Sequence, residues 1–191
     1  AYFARFRDLD PTTDICRRAR HWADGSNAAN AKQSFGEHLA AEFAKDVAAG
    51  TLPQVSWIVA PTIASEHPES PPAVGQALVA KLLETLTAHP DVWAKTVFIL
   101  NYDENDGFFD HVPPPVPAIT PAMGKSTIDV TGEIYKGEPV GLGPRVPMLI
   151  ISPWTKGGFV NSEVFDHTSV IRFLEARFRV EIGRASCGER V

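Results

Sequence analysis

Two short apolar runs, TVFILNY (96–102) and PMLIIS (147–152), constrain the fold of this chain more than any other feature. Each run is continuously apolar, and turn-forming residues adjoin them, a pattern typical of buried strands in a parallel sheet. A third β-rich run, QVSWIV (54–59), is ended by Pro61. We therefore expect three strands, with polar loops at their ends.

Helices are predicted before, between and after these runs. Ser34 and Glu37 form a capping box for a first helix that stops at Gly50. Pro72 suits the first turn of a second helix. A third helix begins near DHTS (166–169), and a small hairpin is expected around IDVTGEIY (128–135). The predicted apolar faces are Phe35, Leu39, Phe43 and Val47 in the first helix, Val74, Leu78, Leu82 and Leu86 in the second, and Val170, Ile171, Leu174 and Phe178 in the third.

This order of elements predicts an α/β fold with a largely parallel sheet flanked by helices. The chain has 191 residues, 44% of them hydrophobic, which is enough for one domain with a buried core. Its net charge of −5 and the lack of a basic patch argue against nucleic acid as the main partner. No apolar run is long enough to be a transmembrane segment.

Both ends of the sequence are unusual. The chain starts without Met and shows no signal segment, which suggests an internal piece of a longer protein. The last ten residues, IGRASCGERV (182–191), abandon the apolar pattern, and we interpret them as translated sequencing-adapter DNA; an ordinary polar tail is the alternative. The domain is therefore predicted over 1–181. Cys16 then stands alone, without a disulfide framework or metal cluster.

Three polar clusters follow the predicted strands. Ser65, Glu66 and His67 come soon after the first strand, Asp103 and Glu104 directly after the second, and Asp166 and His167 after the third and a loop. In open α/β sheets, ligands bind outside the carboxyl ends of the strands. We therefore expect the three clusters to converge on one edge of the sheet.

Asp103 and Glu104 allow two interpretations. Carboxylates at a strand end suit a hard divalent cation, which would offset their mutual repulsion. The alternative is a tight turn, because the following Asn-Asp-Gly (105–107) has turn chemistry and solvated acids are common there. An EF-hand is excluded, because the glycine comes one position early and Pro114 stands where the closing Glu should be.

The other polar residues also have alternatives. His67 is either a surface residue or a ligand, general acid or phosphate contact. Asp166 and His167 either cap a helix or belong to the site. Asp110 and His111 either orient each other or brace the loop before the prolines. Arg145 either contacts an anion or pairs with a surface acid.

Several blocks resemble the catalytic domain of bacterial phospholipases C that hydrolyse phosphatidylcholine, in the phosphoesterase family that also includes certain acid phosphatases. The resemblance runs from about Ser34 to Val180 and to the C-terminal part of that domain. The blocks are LPQVSWIVAP, SEHP, VWAKTVFILNYDENDGFFDHVPPP, GLGPRVPMLIISPW and VFDHTSVIRFLEARF. The fold implied is that of the alkaline-phosphatase superfamily, incomplete in this chain.

The resemblance implies roles for particular residues. The predicted metal ligands are Asp103 and Glu104, the predicted catalytic residues are His67, His111 and His167, and the predicted supporting residues are Asp110 and Asp166. A metal-binding Glu-Asn pair and a Ser or Thr nucleophile, which family members carry upstream, are not found in the sequence. We therefore expect the isolated chain to be inactive or nearly so.

The function implied is metal-assisted cleavage of phosphatidylcholine to diacylglycerol and phosphocholine at a membrane or micelle surface, with sphingomyelin as a further candidate substrate. Family resemblance also implies export, to the periplasm or outside the cell. One alternative is an acid phosphatase of the same family that acts on monoesters. A second is a non-catalytic module that holds a structural cation, and a third is that Asp103 and Glu104 are plain turn residues.

Overall fold

The computed structural model describes residues 12–13, 23–27, 29–105, 107–108, 110–127 and 129–180. The chain divides into two compact units, Ala1–Thr96 and Val97–Val191. Cys16, Asp106 and the terminal segment 182–191 lie outside the described residues, and the predictions made for them stay predictions.

The first unit is helical where it is described. Helix α1 spans Glu37–Ala49, α2 spans Pro72–Thr87 and the short α3 spans Pro90–Trp93. Single 3-10 turns at Ala31–Gln33 and Thr62–Ala64 lie before α1 and before α2. Pro72 occupies the first turn of α2, as predicted, because its missing N–H is not needed there.

The predicted capping box is wrong: Ser34 and Glu37 bond to each other through their side chains, but the N-cap residue of α1 is Gly36, which has no side-chain cap, so the helix begins later than predicted. The Glu37 carboxylate accepts a hydrogen bond from the Ser34 hydroxyl at 3.0 Å and another from the Phe35 N–H at 2.8 Å. Gly36, with φ of 89°, is the residue that enters the helix. Phe35 therefore precedes the first turn and is exposed, so its predicted place on the apolar face is wrong.

The core of the first unit lies where α1 packs against α2. The buried apolar side chains are Ala40, Phe43, Val47, Ala64, Leu78, Leu82 and Leu86. In both helices the spacing of four residues places these side chains on one face, which confirms most of the predicted pattern. Burying a leucine side chain of this kind contributes about 2 kcal/mol to folding.

The prediction of a strand at QVSWIV is wrong. Residues 54–59 form no strand in the structure, and Trp57 and Val59 are 70% and 82% exposed. β-Propensity reflects packing and pairing more than an intrinsic backbone preference. No described strand of the first unit pairs with this segment, so its composition alone does not produce a strand.

In the second unit, the described residues form four short strands and one helix. Strand β1 is Phe98–Asn101, β2 is Ile134–Tyr135, β3 is Glu138–Pro139, β4 is Met148–Ile151, and helix α4 is Thr168–Phe178. Strands β2 and β3 form a small hairpin that overlaps the predicted one (128–135) only at Ile134 and Tyr135 and lies further along the chain. None of the helices among the described residues is long and apolar enough to cross a bilayer.

The largely parallel sheet is not found among the described residues, where both sheets are antiparallel. Strand β1 pairs with β4 so that Phe98 faces Ile151 and Asn101 faces Met148. Parallel strands need a crossover, which is usually a helix. The described residues between β1 and β4 contain only 3-10 turns and the β2–β3 hairpin, so the chain returns in the opposite direction.

The sheet of the second unit is also less buried than continuous apolar runs predict. Leu149 and Ile150 of β4 are both exposed, and none of the described apolar side chains of this unit is buried. The unit is therefore held together largely by its strand pairing and by polar contacts, which involve several of the predicted site residues.

Candidate active site

Asp103 and Glu104 follow β1 directly, as predicted, and both are exposed. The Asp103 Oδ1 atom accepts a hydrogen bond from the Glu104 N–H at 3.1 Å, so the first carboxylate orients the backbone of the second. The two side chains offer carboxylate oxygens at a strand end. This arrangement fits either the turn or the cation site that the sequence allows.

His167 lies against this turn. Its Nε2 atom is 2.9 Å from the backbone oxygen of Asp103. A carbonyl oxygen can only accept, so Nε2 must carry the proton and donate, and in the neutral ring Nδ1 is then the free acceptor. The structure thus brings together two of the clusters that the sequence places after different strands.

Asp166 holds the start of α4. Its Oδ1 atom accepts hydrogen bonds from the Thr168 N–H at 2.9 Å and from the Thr168 hydroxyl at 2.6 Å. Such a carboxylate satisfies a backbone donor that lacks a partner within the helix, and it complements the positive end of the helix dipole. Asp166 precedes His167, the N-cap residue of α4, so it supports the first turn from one position outside the helix and restrains His167, whose own side chain makes no capping hydrogen bond.

Asp110 forms an ion pair with Arg145. The Arg145 Nε and Nη2 atoms donate to the two carboxylate oxygens at 2.6 and 2.8 Å. The Val112 N–H donates to the same carboxylate at 3.1 Å. These donors, the Arg145 guanidinium foremost, hold the pKa of Asp110 well below its ordinary value. The pairing also raises the pKa of Arg145.

His111 is much less constrained than the other site residues of this unit. Its side chain is 89% exposed, and its Nδ1 atom is 3.5 Å from Asp110 Oδ1. Asp110 therefore supports Arg145 first and His111 only at the margin. The sequence predicts that Asp110 and His111 orient each other, whereas in the structure the main partner of Asp110 is Arg145.

Arg145 is the residue of this site that sequence reasoning left undecided. Antiparallel pairing puts the segment before β4 next to the residues after β1, whereas a parallel sheet would put it at the opposite edge. The signal available in the sequence was the GPRVP segment before β4, which places an arginine three residues before the strand. Arg145 was not predicted as the partner of Asp110 because the sequence analysis expected β1 and β4 to be parallel.

His67 belongs to the first unit, in a loop built around the carbonyl of Thr62. The Ser65 and Ser70 hydroxyls both donate to Thr62 O at 2.7 Å. The backbone N–H of His67 donates to Ser65 Oγ at 3.3 Å, and His67 is exposed to solvent. The loop therefore holds the His67 backbone, and its convergence with Asp103 and Glu104 stays a prediction.

Glu66 adds a second restraint on the same loop. It has a φ of 60°, in the left-handed region, which a non-glycine residue adopts only under constraint. Its side chain packs against Gly75 of α2, at a point where a Cβ atom would collide with it. The bare backbone of Gly75 thus makes room for the loop that carries His67.

Asp103 and Glu104 offer the right type of ligand for a divalent cation, but two carboxylates are too few to complete its coordination. Asp103 and Glu104 offer the oxygen ligands that hard divalent cations prefer. Among the residues that the structure describes, no three His, Cys, Asp or Glu side chains are grouped so that they could hold a metal ion. The pair would therefore be part of a coordination sphere.

Comparison with known proteins gives several matches. The chain is 55% identical over 197 aligned residues to a protein named hemolytic phospholipase C from Pseudomonas aeruginosa, an alignment that covers 99% of this chain and 25% of that relative. It is 49% identical over 183 residues to a non-hemolytic phospholipase C from Burkholderia pseudomallei, with 93% of this chain and 25% of the relative covered.

A more distant relative, phospholipase C B from Mycobacterium tuberculosis, is 43% identical over 145 residues, which cover 74% of this chain and 28% of the relative. The chain thus spans about a quarter of the length of the curated relatives it matches. The model of the phosphoesterase family matches residues 2–181, more than the Ser34 to Val180 region where the sequence blocks were recognised. This chain belongs to the phosphoesterase family.

Proposed function

We propose that this chain forms part of a phospholipase C catalytic domain, and that the whole protein cleaves phosphatidylcholine to diacylglycerol and phosphocholine. The observation that carries the proposal is the exposed carboxylate pair, Asp103 and Glu104, at the end of β1 with His167 bound to its backbone. The names of the relatives from Pseudomonas and Burkholderia support the same reaction class. Sphingomyelin, which carries the same headgroup, is a second proposed substrate.

The proposed reaction is hydrolysis at a phosphorus centre in two steps. A Ser or Thr hydroxyl, supplied by sequence outside this chain, attacks phosphorus and displaces the diacylglycerol oxygen, which takes up a proton. Water then attacks the phospho-enzyme and releases phosphocholine with the regenerated hydroxyl. Asp103 and Glu104 would hold a divalent cation, which when bound supplies Lewis-acid polarisation of phosphate oxygens.

The histidines take different parts in this proposal. His67, on a loop fixed by Ser65 and Ser70, is the proposed phosphate contact or proton donor to the leaving oxygen. His167 uses its Nε2–H to hold Asp103, so its proposed role is to orient that residue. His111, which is almost fully exposed, is left with a weaker proposed role at the edge of the site.

A chimeric enzyme would test the proposal. The matching quarter of the Pseudomonas relative is replaced by residues 1–181 of this chain, and release of phosphocholine from phosphatidylcholine is measured. We expect activity, and we expect Asp103→Asn and Glu104→Gln each to abolish it. Glu138→Gln, a change of the same kind on the exposed β3 residue, is the matched control and should have no effect. Near-normal turnover by Asp103→Asn would contradict the metal assignment.

The same chimera separates the alternative functions. Hydrolysis of p-nitrophenyl phosphate in preference to phosphatidylcholine would favour an acid phosphatase that acts on monoesters. A cation that raises the melting temperature while neither substrate is hydrolysed would favour a structural cation-binding module.

The proposal extends to where the protein works. A phosphatidylcholine substrate requires contact with a membrane or micelle, and the family resemblance implies export to the periplasm or beyond the cell. Cosedimentation of the chimera with phosphatidylcholine vesicles tests the first point, and fractionation of cells that express the complete reading frame tests the second.

A further inference from the structure

The loop that carries Asp103 and Glu104 is tied at both of its ends to one short segment, residues 145–147. At the first end, the Tyr102 N–H donates to the Pro147 carbonyl at 3.2 Å and continues the β1–β4 pairing by one step. At the second end, Arg145 binds the Asp110 carboxylate. The described residues of the intervening loop, 103–105 and 107–108, therefore lie between two tethered points.

The Asp110 carboxylate is fully used in this contact. Oδ1 accepts from Arg145 Nη2 and from the Val112 N–H, and Oδ2 accepts from the Nε and the backbone N–H of Arg145. Its side chain is only 13% exposed. With these donors in place, Asp110 is poorly suited to act as a base or a metal ligand, and its role is to anchor the loop.

The geometry makes this pair stronger than an ordinary surface pair. Exposed ion pairs contribute little to stability in general, because water screens them and ordering two side chains costs entropy. A bidentate arginine–carboxylate pair with a mostly buried acid is the exception, since the planar guanidinium matches both oxygens at once. The second unit has no buried apolar side chain among its described residues, so an apolar core does not hold this end of the loop in place.

We propose that Arg145 is a positioning residue, which acts through Asp110 to fix the loop that presents Asp103 and Glu104. The restraint on the loop needs no cation. Its consequence for cation binding rests on the proposed function, in which Asp103 and Glu104 are ligands.

The chain offers a matched control for changes at Arg145. Arg172 on α4 pairs with Glu175 at 3.6 Å, three residues further along the same helix. Its side chain is 56% exposed and that of Arg145 is 58% exposed, so a change to Gln removes one similarly exposed guanidinium in each case. Of these two arginines, Arg145 is the one that binds Asp110.

The experiment compares Arg145→Gln, Arg145→Lys and Arg172→Gln with the unmutated 191-residue chain. The first readout is hydrogen–deuterium exchange of the amides of residues 103–109. The second is paramagnetic broadening of the Glu104 amide signal by Mn²⁺, titrated to give an apparent affinity. We expect Arg145→Gln to speed amide exchange in the loop and to lower the apparent affinity for Mn²⁺ by about tenfold. Losses of this size follow when groups that orient metal ligands are removed.

Two further variants show whether Arg145 acts by positioning the loop or only by its positive charge. Arg145→Lys keeps the positive charge but cannot make the bidentate contact. We therefore expect its amide exchange and its Mn²⁺ affinity to stay close to those of Arg145→Gln. The double variant Asp110→Arg with Arg145→Asp rebuilds the pair with exchanged partners, and we expect it to recover part of both readouts.

Loop exchange in Arg145→Gln equal to that in Arg172→Gln would overturn the inference. Faster exchange with unchanged Mn²⁺ affinity would also overturn it, because the loop would then be held without positioning the carboxylates. Faster exchange in Arg145→Gln, with no Mn²⁺ binding even by the unmutated chain, supports the restraint and contradicts the proposed cation site.

Discussion

The Nε2 atom of His167 lies 2.9 Å from the backbone oxygen of Asp103 and joins the start of α4 to the end of β1. These two residues are far apart in sequence, and only the return of the chain after β4 brings them together. The contact fixes the tautomer of His167 and restrains the backbone that carries the first of two exposed carboxylates. In the second unit, a side chain of α4 therefore restrains the backbone of the residue that carries the first carboxylate.

Replacement of His167 tests this contact. His167→Ala removes the donor to Asp103, and we expect Mn²⁺ binding by the chain to weaken by about tenfold, the lower end for residues that orient metal ligands. His167→Gln keeps an N–H donor at similar reach and should retain most of the affinity. Equal affinities for the two variants, measured by Mn²⁺ broadening of the Glu104 amide, would count against a positioning role.

The helix cap at Asp166 is a separate contribution to stability. Asp166→Ala leaves the Thr168 N–H without its carboxylate partner, and we expect a loss of about 1 kcal/mol in the free energy of unfolding. Asp166→Asn keeps an acceptor and should cost less. Urea denaturation followed by circular dichroism measures both, and an alanine variant as stable as the wild type would show that the cap is not needed.

The Asp110–Arg145 pair predicts a dependence of stability on pH. The pKa of Asp110 lies below its ordinary value of 3.8 in the folded chain, so its ionised form favours folding. This contribution is complete above about pH 4 and is lost as the pH falls towards the folded pKa. The melting temperature of Asp110→Asn should therefore differ most from wild type at neutral pH and approach it in acid. A difference that stays constant down to pH 2 would contradict the assignment.

Gly75→Ala should destabilise the first unit, although Gly→Ala within a helix usually stabilises. The added Cβ would collide with the Glu66 side chain, which packs on this glycine, and we expect a cost of about 1–3 kcal/mol. Gly132→Ala is the control, since nothing lies near that position. Adding Glu66→Ala to Gly75→Ala should recover the loss. If thermal unfolding shows no recovery, the clash is not the cause.

Leu82 tests the contact of α1 with α2. It is 3% exposed, and Leu82→Ala should cost about 2–5 kcal/mol through lost burial and the cavity left behind. Val59→Ala, at a position that is 82% exposed, is the control and should change the unfolding free energy by less than about 0.5 kcal/mol. Similar values for both variants would mean that the described core does not stabilise this unit.

The helices were predictable from the sequence because their signals are local. Pro72 at the start of α2, Gly50 at the end of α1 and the spacing of Leu78, Leu82 and Leu86 depend on residues within a few turns of each other. Strand β1 was predictable for the same reason, and so was the position of Asp103 and Glu104 directly after it. The QVSWIV strand was not, because a strand forms only where a partner is available to pair with it.

By itself, the sequence determined the family, the three longer helices α1, α2 and α4, the two apolar strands and the carboxylates that follow the first of them, but not the short helix α3. Only the tertiary structure decided that β1 and β4 run in opposite directions, and with that which residues meet at their ends. Strand direction depends on how the long intervening segment returns, which no local pattern encodes. That return placed Arg145 on Asp110, and the loop after β4 placed His167 on Asp103, so the surroundings of the carboxylate pair were set by topology.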